Sequence, residues 1–419
     1  MKVLVIGGGA REHTVVWKLA QSPKVDEIYC APGNAGTVQL AQNLNISPID
    51  IESLVKVAQE KVIDLVVVGP EAPLAEGIVD SFQDTGIPIF GPSQKAAEIE
   101  SSKVFAKDLM QKYNLPCARS ISFSDYTKAT EYIQQQTAPL VVKADGLAAG
   151  KGVIIANSIQ EALKAITLIM DSKTFGNAGN RVIIEEFLTG NEMSAMSFTD
   201  GDIIIPMVAA CDYKRVYDNN QGPNTGGMGS YSPPYFFNQP LGDMVQDIIL
   251  KPAVKAMQKE KRPYKGVLYG GLMVTKEGPK VLEFNARFGD PETQVVLPRL
   301  KTDLLDIMLA VANGNLEKAK VDWSEEACMG VVMASGGYPD SYKTGFPISG
   351  LDDMDSDIMV FHAGTKTDPD SGQILTSGGR VLTVVATGDS LDEARGKVYT
   401  NIPRIHFEGC HYRQDIALV

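Results

Sequence analysis

Along the first hundred positions, short apolar runs alternate with stretches whose apolar residues recur at helical spacing. Runs at 3–6, 27–30, 65–68 and 87–90 read as strands, and the stretches 12–21, 52–61 and 75–85 as helices. Strands apolar on both faces and separated by helices predict a parallel sheet wrapped by helices. Ligands of such open sheets sit at the carboxyl ends of the strands. Two loops fall there: Gly7-Gly8-Gly9-Ala10-Arg11-Glu12-His13 and Gly69-Pro70-Glu71-Ala72-Pro73-Leu74.

The pattern then changes. An amphipathic helix is expected over 101–113, with Ser101 or Ser102 as its cap. A smaller unit follows: a strand at 140–143, a glycine-rich loop, a strand at 153–156, a helix at 159–171 and a strand at 182–187. Positions 190–325 supply further strands, a long helix over 244–259, an apolar segment at 267–275, a turn at 276–279, a returning strand and a helix over 303–313. Beyond 327, apolar runs at 330–334, 358–363 and 380–387 between glycine-rich turns outline a small α+β unit. The predicted class is therefore α/β in a multidomain, α+β arrangement.

Composition narrows the function. A chain of 419 residues exceeds one core and implies two to four units. A net charge of -12 argues against a general binder of nucleic acid or membrane surfaces, both of which need a basic field. No apolar run is long enough to span a bilayer, and Met1 leads straight into a strand-like segment, so a cytoplasmic location is expected. The five cysteines are scattered and lack metal-ligand spacing, as reduced packing residues would be.

The returning strand carries the chemistry, reading Glu283-Phe284-Asn285-Ala286-Arg287-Phe288-Gly289-Asp290-Pro291-Glu292-Thr293-Gln294. Alternation across a strand places Glu283, Asn285 and, if the strand continues, Arg287 on one face. Carboxylate and amide oxygens are hard ligands suited to Mg2+, and the arginine fork suits a phosphate or carboxylate. A second loop, Lys143-Ala144-Asp145-Gly146-Leu147-Ala148-Ala149-Gly150-Lys151-Gly152, lacks P-loop spacing and fits a hairpin closing over a nucleotide. Lys143 ends an apolar strand, facing inward or outward according to register. Carboxylates end the strand before Gly190, and the block 211–229 joins Asp212, Lys214 and Arg215 to four glycines, as a backbone that must touch a ligand does.

These motifs, in this order and across essentially the whole chain, resemble the glycinamide ribonucleotide synthetase family of the ATP-grasp superfamily. The resemblance implies an ATP-grasp fold, with an open parallel-sheet unit at 1–100, a core at 101–122 and 189–326, a lid at 123–188 and a carboxy-terminal unit at 327–419. It implies ligation of glycine to 5-phosphoribosylamine through glycyl phosphate, with ATP as substrate and Mg2+ or Mn2+ held by Glu283 and Asn285. Lys103, Lys143, Gly146, Gly150, Gly152, Glu185, Glu186, Phe187, Leu188 and Glu192 are implied at ATP. Gly8, Gly9, Arg11, His13, Gly69, Pro70 and Glu71 are implied at the phosphoribosylamine. Asp212, Lys214, Asn224, Thr225, Gly226, Gly227 and Met228 belong to glycine and phosphate sites. Arg287, Lys143 and Lys214 carry the catalytic charge. The family's usual Gly-Glu-Glu after the hinge is Gly190-Asn191-Glu192 here, which keeps the ribose carboxylate. Transient contact with neighbouring purine-pathway enzymes is compatible with this reading; nucleic acid and membrane partners are not expected. Alternatives are another purine-pathway ATP-grasp enzyme, a nucleotide-binding oxidoreductase, or a silent ATP-binding module.

Overall fold

The amino-terminal alternation becomes a five-stranded parallel sheet in the computed structural model, which describes residues 1–147 and 152–418. Its order is Gln42–Asn43, Glu27–Pro32, Lys2–Gly7, Leu65–Val68, Ile89–Phe90. The central strand is apolar on both faces because both are covered. Leu4 and Ile6 join one core with Leu54, Phe82 and Tyr264; Val3 and Val5 join another with Phe198, Phe288 and Leu304. Fully burying each such side chain is worth about 1.5–3 kcal/mol, so this strand ties the first unit to the centre of the molecule from both sides.

That centre is an antiparallel sheet ordered Ile204–Pro206, Asn191–Thr199, Gly266–Thr275, Gly278–Asn285. A separate antiparallel sheet, Ser120–Phe123, Val182–Glu186, Leu140–Ala144, Val153–Ala156, pairs only within itself. Another antiparallel sheet joins Ala327–Ala334, Arg380–Gly388 and Ile358–His362, and two earlier strands, Gly229–Ser232 and Cys211–Asp212, extend it. Hydrogen bonding thus crosses the boundary expected at 327, because pairing with those strands covers an otherwise open sheet edge.

Helix ends follow local chemistry. Ser102, not Ser101, caps Lys103–Lys112, its Oγ accepting the Phe105 N–H at 3.1 Å. Asp303 caps Leu304–Asn313, which stops at Gly314 in the left-handed region. The helix expected over 75–85 is instead two short ones, Glu71–Ala75 and Ile78–Ser81, divided where Gly77 adopts φ +85°. Glu71 therefore opens a helical turn rather than lying in a loop. The helix expected over 244–259 begins at Gln239 and widens to a π turn over Gln246–Leu250. Pro252 has no N–H for the Ile248 carbonyl and its ring crowds that oxygen, so the regular ladder gives way there.

Candidate active site

The central hairpin is tighter than its sequence suggested. Thr275 pairs with Gly278, leaving only Lys276 and Glu277 in the turn. A bulge opposite Gly271 and Leu272 leaves Leu282 outside the ladder, and its carbonyl accepts the Lys143 ammonium at 3.1 Å. Past the bulge, Glu283 and Asn285 line a cleft of about 1030 Å³. The strand ends at Asn285, yet Arg287 lines the same cleft because Glu100 receives the Ala286 N–H at 2.6 Å and the Arg287 guanidinium at 3.0 Å. Glu71 holds the other side of that guanidinium at 3.3 Å.

Cations from every unit meet in the cleft. Lys103, Lys143, Lys214, Arg11, Arg287 and Arg380 all line it. Lys143 faces inward, which settles its register: it and Lys107 flank one carboxylate, Glu185, at 3.0 and 3.1 Å, all three buried. The Glu185 side chain is therefore occupied by lysines, while Phe187 and Leu188 offer apolar surface at the cleft wall and Glu192 stands exposed at its rim. Glu186 is tied to Arg119 at 2.8 Å. Lys103 donates to the Gly146 carbonyl at 3.0 Å, and Gly152 lines the cleft. Gly150 lies outside the described residues.

Burial and charge oppose each other throughout. Burial pushes the Glu71 carboxyl up, but Arg287 and Arg11 more than offset it and hold it at about 2. Burial also raises Glu283, and the surrounding Lys103, Lys214, Lys143 and Arg287 reverse that and keep it below the usual carboxylate range. At Asp212 burial wins and lifts the carboxyl to about 7 despite Lys214 at 2.7 Å. Glu100, buried, is raised by burial even with Arg287 beside it.

Most buried or half-buried carboxylates of the cleft own a cation: Glu71 and Glu100 share Arg287, Glu185 has two lysines, Glu186 has Arg119, Asp212 has Lys214, and Asp290 has Arg380 at 2.9 Å. Among the described residues, Glu283 and Glu292 line the cleft with no such partner, and the Asn285 carboxamide has no hydrogen-bond partner. A carboxylate and an amide oxygen left open toward a cleft rich in lysine are hard oxygen donors of the kind a divalent cation accepts. No group of three or more His, Cys, Asp or Glu suited to a metal exists among the described residues, so further ligands would come from substrate and water.

The amino-terminal loop has a different logic. The Glu12 carboxylate is buried beneath it, accepting the Gly9 N–H at 2.7 Å and the Arg11 Nε at 2.6 Å. A Cβ at Gly7 would meet Glu12 Cγ at 2.5 Å, and one at Gly69 would meet Glu12 Oε1 at 2.2 Å. The glycines of both loops make room for this carboxylate. The Gly9 N–H is thereby taken and does not face a ligand. Arg11 and Glu71 reach the cleft; Pro70 and Gly69 sit directly before Glu71 at the same strand end. Gly8 is pressed against Gly33, where a Cβ would lie 2.6 Å from the carbonyl oxygen.

Two expected site residues point elsewhere. His13 is buried with its Nδ1 accepting the His362 N–H at 2.8 Å, and burial holds its pKa down at about 3. Met228 is enclosed by Val216, Ala334 and Tyr338. Gly227 lies against Pro291 at φ +115°, whereas Asn224, Thr225 and Gly226 do line the cleft. Sequence reasoning passed over Glu100, Lys107, Tyr269, Glu292 and Arg380. Glu100 shares a helix face with Ala96 and Ala97, and Lys107 with Val104 and Met110; a charge on an apolar stripe was a legible signal in both cases. Arg380 had no local signal.

Family models for phosphoribosylglycinamide synthetase match the chain in three parts: the N domain at 1–100, the ATP-grasp (A) domain at 101–293 and the C domain at 328–419. Phosphoribosylamine–glycine ligase of Caldanaerobacter subterraneus subsp. tengcongensis is 52% identical over 417 residues, covering 100% of this chain and 99% of that one. The Escherichia coli protein of the same name is 48% identical over 421 residues, covering 100% and 98%. A crystal structure of phosphoribosylamine–glycine ligase from Thermotoga maritima superposes with a TM-score of 0.88 at 34% identity over 100% of both chains. A biotin carboxylase complex from Campylobacter jejuni, 14% identical with a TM-score of 0.74 over 98% of this chain and 92% of that one, shares the fold.

Proposed function

Because the chain belongs to the phosphoribosylglycinamide synthetase family, we propose that it joins glycine to 5-phosphoribosylamine with ATP, giving glycinamide ribonucleotide, ADP and phosphate in purine biosynthesis. The observation that carries the reading is the meeting of Glu283 and Asn285, whose side chains have no ion-pair or hydrogen-bond partner among the described residues, with Lys103, Lys143, Lys214 and Arg287 in one cleft.

A carboxylate is a poor acyl donor because its oxide does not leave. The glycine oxygen therefore attacks the γ-phosphorus, ADP departs, and glycyl phosphate results. The amine nitrogen then bonds to the acyl carbon, the C–O bond to phosphate breaks, and the nitrogen loses a proton. Two anions must approach in the first step, so the work is positioning and charge neutralisation. In this reading Lys103, Lys143 and Lys214 neutralise the phosphates, and Arg287, braced by Glu71 and Glu100, orients the glycine carboxylate or the acyl phosphate. Glu283 and Asn285 would hold a divalent cation, Mg2+ or Mn2+, which when bound would supply further neutralisation of phosphate charge. Phe187 and Leu188 serve as the adenine wall, and Arg11 and Glu71 serve the phosphoribosyl group. No helix among the described residues is long and apolar enough to cross a membrane. Dependence on ATP fits a cytoplasmic setting.

The test is ADP release by the purified protein. Turnover requiring both glycine and 5-phosphoribosylamine, abolished by a chelator and restored by Mg2+ or Mn2+, is expected. ADP release indifferent to glycine sinks the assignment.

A further inference from the structure

Glu292 is 2% exposed and lines the cleft. Its Oε1 accepts from the Tyr269 hydroxyl at 2.7 Å and from the Ser194 hydroxyl at 2.9 Å, both donors buried on the central sheet. Its Oε2 has no hydrogen-bond partner among the described residues. Two neutral hydroxyls orient this carboxylate; Lys214, Arg287 and Arg380 lie within electrostatic reach but none forms an ion pair with it, whereas the comparably buried Glu100, Glu185 and Asp212 are each ion-paired to an arginine or lysine. A buried carboxylate lacking an ion-pair partner is costly, and a site that retains one is completed by a cation brought from outside.

Resting on the reaction assigned above, we propose that Glu292 receives the α-ammonium of glycine and selects an amino acid over other small acids. Glycine carries its positive group two bonds from the carboxylate. Lys214 lies within electrostatic reach of both Glu292 and Glu283, so an ammonium at Glu292 leaves the carboxylate of so short a molecule facing Lys214 and the phosphate-binding side. The hydroxyls of Tyr269 and Ser194 fix the direction of the accepting oxygen. Asp212 is a weaker candidate for the same task because Lys214 already holds it at 2.7 Å. Other α-ammonium acids share the charge, so this contact distinguishes glycine from glycolate or acetate and not from alanine.

The experiment compares glycine with glycolate, which replaces the ammonium by a hydroxyl. With the wild-type protein, glycolate should compete with glycine at least roughly tenfold more weakly than glycine binds, the size of a lost charge-assisted hydrogen bond. Equal affinity overturns the proposal without any variant. E292Q keeps an oxygen for Tyr269 and Ser194 and loses only the charge. Its KM for glycine should rise roughly 10- to 100-fold, with the KM for ATP unchanged and the inhibition constant of glycolate unchanged or lower. A loss in kcat alone, or equal weakening of glycine and glycolate, assigns Glu292 a structural role and refutes the inference. Tyr269→Phe frees the carboxylate to swing and should raise the glycine KM by less, in the same direction. If the wild-type protein releases ADP without regard to glycine, the assigned reaction itself fails, which is a separate result.

Discussion

Two units flank the central sheet and each sends a cation into the cleft, but they are attached in opposite ways. The 120–186 segment closes its sheet on itself and packs its own core around Val142, Ile166 and Ile184. It reaches the remainder through polar ties: Lys143 to the Leu282 carbonyl, Lys103 to the Gly146 carbonyl, and Asp145 receiving the Val104 N–H at 3.1 Å. The carboxy-terminal unit shares a backbone ladder, Gly229–Ser232 against Cys328–Val331, and Arg380 donates to the Gly226 and Asp290 carbonyls at 2.8 and 2.9 Å. Side-chain ties can break and reform as a nucleotide enters, whereas moving a strand costs several backbone hydrogen bonds at once. The first flank is therefore expected to move and the second to stay.

The sharpest break comes from removing the cation of the 120–186 flank. Lys143→Met should lower kcat by ~10²–10³, as expected for one lost electrostatic contact to a transferring phosphoryl group, with little change in melting temperature because Lys107 still partners Glu185. A large loss of stability with normal turnover would reverse the two roles. Arg380→Ala attacks the fixed flank. It strands the Asp290 carboxylate and two carbonyls, and chemical denaturation should reveal a loss of roughly 1–3 kcal/mol.

Acid should act on the fixed flank as well. His13 and His362 meet edge to face where the first and last units touch, and burial lowers their pKa values to about 3 and about 4. Between pH 6.5 and about 4 the unfolded chain takes up protons there and the folded chain does not. Stability contributed by neutral burial is therefore present above pH 6.5 and falls as pH drops, by up to ~1.4 kcal/mol per pH unit for each histidine. A flat stability profile between pH 7 and 5 would contradict this; the 120–186 segment contains no histidine and should not contribute. The mildest contrast is in hydrogen exchange. Amides of the 120–186 sheet should exchange faster than those of Ala327–Ala334 and slow when ATP binds; identical rates in both sheets would erase the distinction.

Much of this was visible in the chain itself. The periods of its apolar residues gave the parallel sheet, the capped helix at Lys103–Lys112 and the hairpin that presents Glu283 and Asn285, since those features depend on neighbours within a few positions. The glycine loops were legible as special backbone but misleading in detail, because the group that demands Gly7 and Gly69 is the buried Glu12 carboxylate, reached only through the fold. Sequence alone set which oxygens and cations were available for the chemistry. The tertiary structure decided which of those charges were already paired: Glu185 with two lysines, Arg287 with Glu71 and Glu100, Asp290 with an arginine ninety positions away, and Glu292 with none among the described residues. Pairing between charges so distant along the chain is set by close approach in three dimensions, and no local periodicity encodes it.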